Sequence, residues 1–237
     1  GVNTGDFGRT TGEKFIDLLR ALDGVDGIER YRISSIEPNL LTDEIIAFCA
    51  TSPKFQHHFH IPLQSGSDKI LGLMRRRYTT ARFADRIAAV RALMPDAFIG
   101  IDVIVGFPGE TEEDFQKTLE LVQEVGYMQL FTFIYSKRTG TKAAEMPDPT
   151  PRKEKTDRMT RLLATQDEIA MALVKAQVGQ TVRVLVEGFG RNEGTLSGRL
   201  DNNLTVEFAA DPALLGSYAT VHLTGARATV LLGEVEA

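Results

Sequence analysis

Four short apolar runs alternate with helical patterns over the first part of the chain. Residues 30–36 (RYRISSI) alternate apolar and polar side chains and stop at Glu37-Pro38. Residues 57–63 (HHFHIPL) stop at Gln64-Ser65-Gly66, and 97–107 (AFIGIDVIVGF) at Pro108-Gly109. Residues 128–136 (MQLFTFIYS) run into a basic turn. Each run has the length and β-branched or aromatic content of a buried strand. Helices fall between them. Residues 12–22 place Phe15, Ile16, Leu18, Leu19 and Leu22 on one face. In 42–50, Thr42 is a natural N-cap and Ile45, Ile46 and Phe48 face a core. Further helices are expected over 67–76, 79–93 and 111–125. The last opens with Glu112, Glu113 and Asp114, where a helix dipole favours acids. Strands alternating with helices imply a parallel sheet with crossover helices, whose site lies at the carboxyl ends of the strands.

The pattern then changes twice. Pro147 to Pro151 (PDPTP) breaks the chain, and 152–177 reads as one long helix with a stripe of Met159, Leu162, Leu163, Ile169, Ala170 and Leu173. After Gly179 come five short strands separated by Gly, Asn and Asp turns, the signature of a small OB-like barrel. The expected units are an α/β domain over 1–146, a connecting segment over 147–177 and an all-β barrel over 178–237. The opening GVNTGDFG is a loop of turn-forming residues. It reads as the exit of a further strand before Gly1.

Composition narrows the class. The chain has 237 residues, 43% of them hydrophobic, enough for one large domain or two small ones. No run reaches the length of a membrane span, and no secretory signal opens the chain. The net charge of −5 argues against unspecific coating of nucleic acid, though not against a local basic face. Cys49 is the sole cysteine, which fits a reducing compartment such as the cytoplasm.

Several positions are candidates for chemistry, each with a plainer alternative. Glu37 follows a strand end and could accept hydrogen bonds from a ribose or an amine, or simply cap a helix. Pro62 inside a strand implies a bulge or unpaired backbone. His57, His58 and His60 lack a carboxylate or cysteine at ligand spacing, so packed or surface histidines are expected rather than a metal site. Arg75, Arg76 and Arg77 suit either a helix carboxyl end or phosphates. Asp102 lies inside an apolar strand, where an acid needs a partner. The turn after it, through Gly106, lets backbone approach a flat ligand. Lys137 and Arg138 stand at the last strand exit and suit an anion. In the small barrel, Arg183, Arg191 and Arg199 could contact RNA, as could Arg152, Lys153, Lys155, Arg158 and Arg161 on the long helix. Residues 177–237 hold four Lys/Arg against seven Asp/Glu, a poor balance for a stand-alone nucleic-acid binder.

Taken in order, GVNTGDFG, RISSIEP, HFHIPLQSGSDKILGLMRRRYT, DVIVGFPGETEEDF and YSKRTGT resemble the methylthiotransferases, which are radical S-adenosylmethionine enzymes. The segment most resembles the tRNA threonylcarbamoyladenosine branch, with the isopentenyladenosine and ribosomal-protein branches as alternatives. The end barrel, with GRLDNN, resembles the TRAM domain that closes such chains. The resemblance implies a partial (β/α)6 barrel lacking its first strands, followed by a TRAM barrel. It implies S-adenosylmethionine and two [4Fe–4S] clusters as cofactors. The cluster cysteines, including a CxxxCxxC loop, would precede Gly1, leaving no catalytic or metal-ligating residue here and an isolated fragment without activity. It further implies an electron donor and the anticodon stem-loop of a tRNA as partners, with a methylthio group added to an adenine beside the anticodon. Asn3 and Gly5 would lie near the cofactor's amino acid part. Glu37, Gln64 and Ser65 would lie near its ribose or sulfonium, and Asp102, Ile104 and Gly106 near its adenine. Arg75, Arg76, Lys137, Arg138, Arg183, Arg199 and Asn203 would face RNA. Two other readings remain: a cluster-free RNA-binding remnant, and a barrel hydrolase or lyase using Glu37 and Asp102. The second lacks a paired acid–base set.

Overall fold

A computed structural model describes residues 3–236; Gly1 and Val2 of the opening loop lie outside the described residues. Three parallel strands, β1 (His58–His60), β2 (Phe98–Val105) and β3 (Gln129–Ile134), form a sheet in the order β1-β2-β3. The helices around it are α1 (Phe15–Asp23), α2 (Asp43–Thr51), α3 (Asp68–Leu73), α4 (Thr80–Leu93), α5 (Glu112–Val125) and the short α6 (Lys142–Glu145). Their starts follow from local chemistry. The hydroxyls of Thr42, Thr79 and Thr111 accept from the amides of Ile45, Arg82 and Asp114. Thr111 and Asp114 close a capping box at the acidic start of α5. Ile99, Ile101, Val103 and Val105 of β2 are buried between α4, α5 and the inner wall, as expected of a central parallel strand.

The expected strand over 30–36 is not a ladder strand. Tyr31 alone bridges Phe55; beyond that the Ile36 amide donates to the His60 carbonyl at 3.0 Å and the Ser35 carbonyl accepts from the Thr4 amide at 2.8 Å. The expected strand over 57–63 stops at His60. Pro62 has no amide to give the ladder, and its carbonyl accepts from the Tyr78 hydroxyl at 2.8 Å. The chain rejoins β2 one residue at a time: the Gln64 amide donates to the Asp102 carbonyl and the Ile104 amide to the Gln64 carbonyl. Gln64 does this with φ 69°, a costly conformation for a side chain of its size. The helix expected over 67–76 ends at Leu73. The Arg76 amide donates back to the Leu71 carbonyl while Arg75 takes φ 59°, the left-handed cap position usually held by glycine.

The long helix α7 (Arg152–Lys175) links two apolar cores. Its Leu162 joins the core around the parallel sheet, and its Val174 joins the core of the second unit. That unit is a closed barrel of β4 (Thr181–Phe189), β5 (Thr195–Arg199), β6 (Thr205–Ala209), β7 (Tyr218–Arg227) and β8 (Val230–Val235), in the order β4-β5-β6-β8-β7. All pairings are antiparallel except β6 with β8. The barrel sits beneath the starting ends of the parallel strands. Phe98 and Met128, at the starts of β2 and β3, belong to its core. Arg30 pairs with Asp201 at 2.6 Å, Arg183 with Glu29 at 2.9 Å, and the Asn202 amide group donates to the Asp96 carbonyl. Tyr218 lies between the Arg30 and Arg183 guanidinium groups, 4.7 and 3.6 Å from its ring centre. Among the described residues no helix is long and apolar enough to cross a membrane.

Candidate functional site

The opposite end of the sheet, where the strands exit, is concave. A cavity of about 590 Å³ is lined by Gln64, Met74, Arg75, Arg76, Asp102, Ile104, Phe107, Phe133, Tyr135, Arg138 and Lys142, among others. A second hollow adjoins it through Met74, Arg75 and Arg76 and holds Asn3, Gly5, Glu37 and Asn39. The ridge between the two is the left-handed turn that ends α3. Its backbone conformation ends the helix and sets Arg75 and Arg76 in the lining of both hollows, with Arg77 in that of the second.

Polar groups in this region divide into spent and unspent. Asp102 is not isolated in its strand: one carboxylate oxygen lies 2.9 Å from His60 Nε2, and the His60 ring packs against Phe131. Glu37 is bound to Arg76 Nη1 at 3.2 Å, while its amide donates to Asn3 Oδ1. By contrast Arg76 Nε and the Tyr135 hydroxyl are buried with no hydrogen-bond partner, and both residues line the cavity. Buried polar atoms without partners are uncommon, because each forfeits its hydration. Two at one cavity mark where a polar ligand would bond. Arg75, Arg138 and Lys142 line the same cavity, and no carboxylate pairs with them among the described residues. Phe133 adds an apolar wall and is 54% exposed.

The structure therefore gathers Asn3, Gly5 and Glu37 in one hollow and Gln64, Asp102, Ile104, Arg75, Arg76 and Arg138 in and around the other. It sets the remaining expected residues apart. Gly5 packs tightly, since a Cβ there would lie 2.6 Å from Leu40 Cβ. Ser65 is fully buried with its hydroxyl accepting from the Ser67 amide, outside the cavity lining. Gly106 is also outside it. With φ 71° its amide donates to Glu110 Oε2 at 2.7 Å, and the Lys155 side chain covers its α-carbon. Lys137 stands on the exit turn but not in the lining. Arg183, Arg199 and Asn203 belong to the seam between the two units. Arg183 holds Glu29, the Arg199 carbonyl accepts from Arg30, and Arg199 donates to the Asn203 carbonyl. The helix cations are likewise redirected: Lys155 binds Asp148, and Arg158 binds Glu110, Glu112 and Glu154 inside the protein.

Sequence reasoning missed the His60–Asp102 pair, Tyr135 and Glu110. The signal for the first was present: both residues sit at alternate positions of neighbouring parallel strands. What the sequence did not supply was the register. His58 and His57 part as expected for neighbours on a strand. His58 is buried against Phe98, 4.7 Å between ring centres, and His57 faces Asp96. Among the described residues no group of three or more His, Cys, Asp or Glu could hold a metal ion. Cys49 is buried in α2, and burial pushes its thiol up to about 12, so it does not fit as a thiolate ligand.

With a parallel sheet hollowed at its strand exits and joined to a closed five-stranded barrel, the chain matches Radical SAM and TRAM domain models. The Radical SAM superfamily model matches residues 7–122 and the TRAM domain model residues 175–235. The chain is 45% identical over 240 residues to tRNA-2-methylthio-N(6)-dimethylallyladenosine synthase of Acidothermus cellulolyticus, covering 99% of this chain and 48% of that protein. It is 43% identical over 219 residues to the synthase of the same name from Francisella tularensis subsp. novicida, covering 92% and 50%. The chain thus spans about half the length of these curated relatives. They support membership of the methylthiotransferase family. Both names specify dimethylallyladenosine, so the expected threonylcarbamoyladenosine branch gains no support from them. The solved structure of coproporphyrinogen III oxidase from Escherichia coli, a Radical SAM enzyme, matches with a TM-score of 0.52 at 18% identity, over 75% of this chain and 39% of that one. At that identity the likeness concerns the fold.

Proposed function

We propose that this chain forms the cofactor cavity and the RNA-holding module of a tRNA methylthiotransferase that modifies N6-dimethylallyladenosine beside the anticodon. The observation that carries the reading is the strand-exit cavity with two unspent buried groups, Arg76 Nε and the Tyr135 hydroxyl, in a chain with Radical SAM and TRAM domains. The residues present fit S-adenosylmethionine. Gln64, Asp102, Arg76 and Tyr135 offer donors and acceptors for its polar groups, and Ile104 and Phe107 offer apolar surface for its adenine. When bound, it supplies radical hydrogen abstraction and the methyl group. The residues present do not fit an iron–sulfur cluster, so no step is assigned to one here. The clusters that the resemblance implies would be held by residues other than those described. The protein's own part is to hold and orient: His60 fixes the Asp102 carboxylate, Glu37 fixes Arg76, and Phe107 with Phe133 walls the lumen with apolar surface.

The dimethylallyl branch follows the names of the two relatives. Phe133 offers apolar contact to a five-carbon group, while Arg75, Arg138 and Lys142 in the same lining would suit a carboxylate, so the substituent is decided by experiment. An electron donor and a cytoplasmic setting belong to the same proposal. Two measurements test it. Deleting the gene in its host should remove 2-methylthio-N6-dimethylallyladenosine from total tRNA digests analysed by mass spectrometry. Loss of the threonylcarbamoyl counterpart instead would return the protein to the other branch. In calorimetry with S-adenosylhomocysteine, Asp102→Ala should weaken binding by about tenfold, the loss of one charge-assisted hydrogen bond. Unchanged affinity would take Asp102 off the site.

A further inference from the structure

At the seam between the two units Arg183 pairs with Glu29 and the Arg199 carbonyl accepts from Arg30, while a different part of the TRAM barrel stays clear of these contacts. Phe189, the last residue of β4, is 69% exposed, more than any other large apolar side chain described. Arg191 follows in the β4–β5 turn and makes no ion pair among the described residues. Six residues of strand separate Phe189 from Arg183, about 20 Å at ~3.3 Å per residue, so the ring stands well away from the docked end.

The turn that carries it is built, not slack. The Glu207 side chain, 6% exposed, reaches up from β6, and its Oε1 accepts from the amides of Arg191 and Asn192 at 3.0 and 3.1 Å. The same oxygen accepts from Asn192 Nδ2 and the Thr195 hydroxyl, while Oε2 takes Arg227 at 3.2 Å. Burial alone would raise the carboxyl; these donors outweigh it and hold the pKa below the usual range, so the group stays an anion. Gly190 is required by the same arrangement, because a Cβ there would lie 2.2 Å from the Thr195 hydroxyl and 2.8 Å from Glu207 Cγ. A buried carboxylate thus fixes a turn whose exposed products are an aromatic face and a cation.

From this we infer that Phe189 and Arg191 form a stacking platform for an unpaired base of single-stranded RNA, Phe189 taking the base and Arg191 a neighbouring phosphate. The inference rests on the RNA reading above and names the surface that executes it. An aromatic ring beside a cation on an OB-like barrel is the combination that single-stranded RNA uses, since every base has a π-face and every linkage a charge. Glu193, exposed in the same turn, opposes the phosphate and would tune the affinity. The test uses the whole 237-residue chain and a fluorescein-labelled anticodon stem-loop, read by anisotropy. Phe189→Ala should weaken binding about tenfold, and Phe189→Trp should keep it. Arg191→Ala should lower the salt slope by about one and Glu193→Gln should tighten binding. A 2-aminopurine placed in the loop should be quenched by the parent chain and not by Phe189→Ala. Because the ring is exposed, the variants should keep the parent circular dichroism. Parent-like affinity and quenching in Phe189→Ala would overturn the platform while leaving the RNA reading intact. No binding by the parent chain would overturn the platform too, and the tRNA digests would then decide separately whether the methylthiotransferase reading survives.

Discussion

Arg158→Ala should unfold this protein about 10 °C lower than the parent, the largest single-residue loss expected in the chain. Arg158 and Glu110 face each other at 2.9 Å with both side chains 2% exposed. The arginine also reaches the Glu110 carbonyl, Glu112 and Glu154, and its guanidinium lies over Phe115. Truncating it leaves Glu110 buried with the Gly106 amide as its remaining donor. Breaking one side of a buried pair costs about 3–5 kcal/mol, and in a chain of this size each kcal/mol shifts melting by about 2–4 °C. Burial already holds the Glu110 carboxyl above its usual range, against the pull of Gly106 and Arg158. A folded pKa raised in this way means the folded state binds the extra proton, so this group's contribution falls as pH rises past its unfolded value. The variant should therefore be least stable at neutral pH and recover in part near pH 5. The double change Glu110→Leu with Arg158→Leu should be far milder than the single one, since no unpaired charge remains. Equal losses from the single and double changes would mean that packing, not charge, dominates the site.

Most of the framework was legible because it rests on local rules. Thr42 caps the helix it was expected to cap, the helices expected over 79–93 and 111–125 start at Thr79 and Thr111, and the five turn-bounded runs after Gly179 close into a barrel. The errors occur where tertiary context overrides local pattern. Residues 30–36 alternate like a strand, but backbone pairing reaches them only at Tyr31, Ser35 and Ile36 among the described residues. Arg75 gives no sign in sequence of the left-handed cap it supplies, because glycine is the residue that usually marks one. The site divides in the same way. Gln64, Asp102 and Glu37 were visible as polar residues in or at the ends of strands, and Arg76 as part of a basic cluster at a helix end. The pairing of Asp102 with His60 and of Glu37 with Arg76, and the unspent Tyr135, needed the register between elements. Cations were the least legible. Lys155 and Arg158 look like a solvated basic face, yet each is bound to acids that come from distant or turn segments. A sequence shows where charge lies along a helix and not what packs against it.

Two adjacent histidines should give this protein opposing pH responses that cancel in part. His58 is 7% exposed, its Nδ1 has no partner, and it stacks on Phe98 where the TRAM barrel meets the sheet. Burial first, then the nearby Arg32 charge, push its pKa from 6.5 down to about 4, against a backbone contact at Ile33. The His60 ring adds a small push in the same direction. The unfolded chain thus takes up this proton more readily than the folded one. The stability His58 contributes is present above pH ~6.5 and is lost as pH falls toward 4, by about 3 kcal/mol in all. His57 runs the other way. Its hydrogen bond to Asp96 raises its pKa despite some burial, so its contribution is full below the unfolded value and fades as pH rises. The carboxylate partner is lowered by the same bond. Urea titrations between pH 7 and 5 separate the two, since most carboxylates are still ionised there. His58→Phe should keep the stacking with Phe98 and remove the loss on acidification. His57→Ala should steepen that loss, because the compensating gain is gone. If His58→Phe weakens on acidification as much as the parent does, the histidine is not the group responsible. Should both variants follow the predicted directions, the junction between the sheet and the TRAM barrel is where protonation weakens the fold between pH 7 and 5.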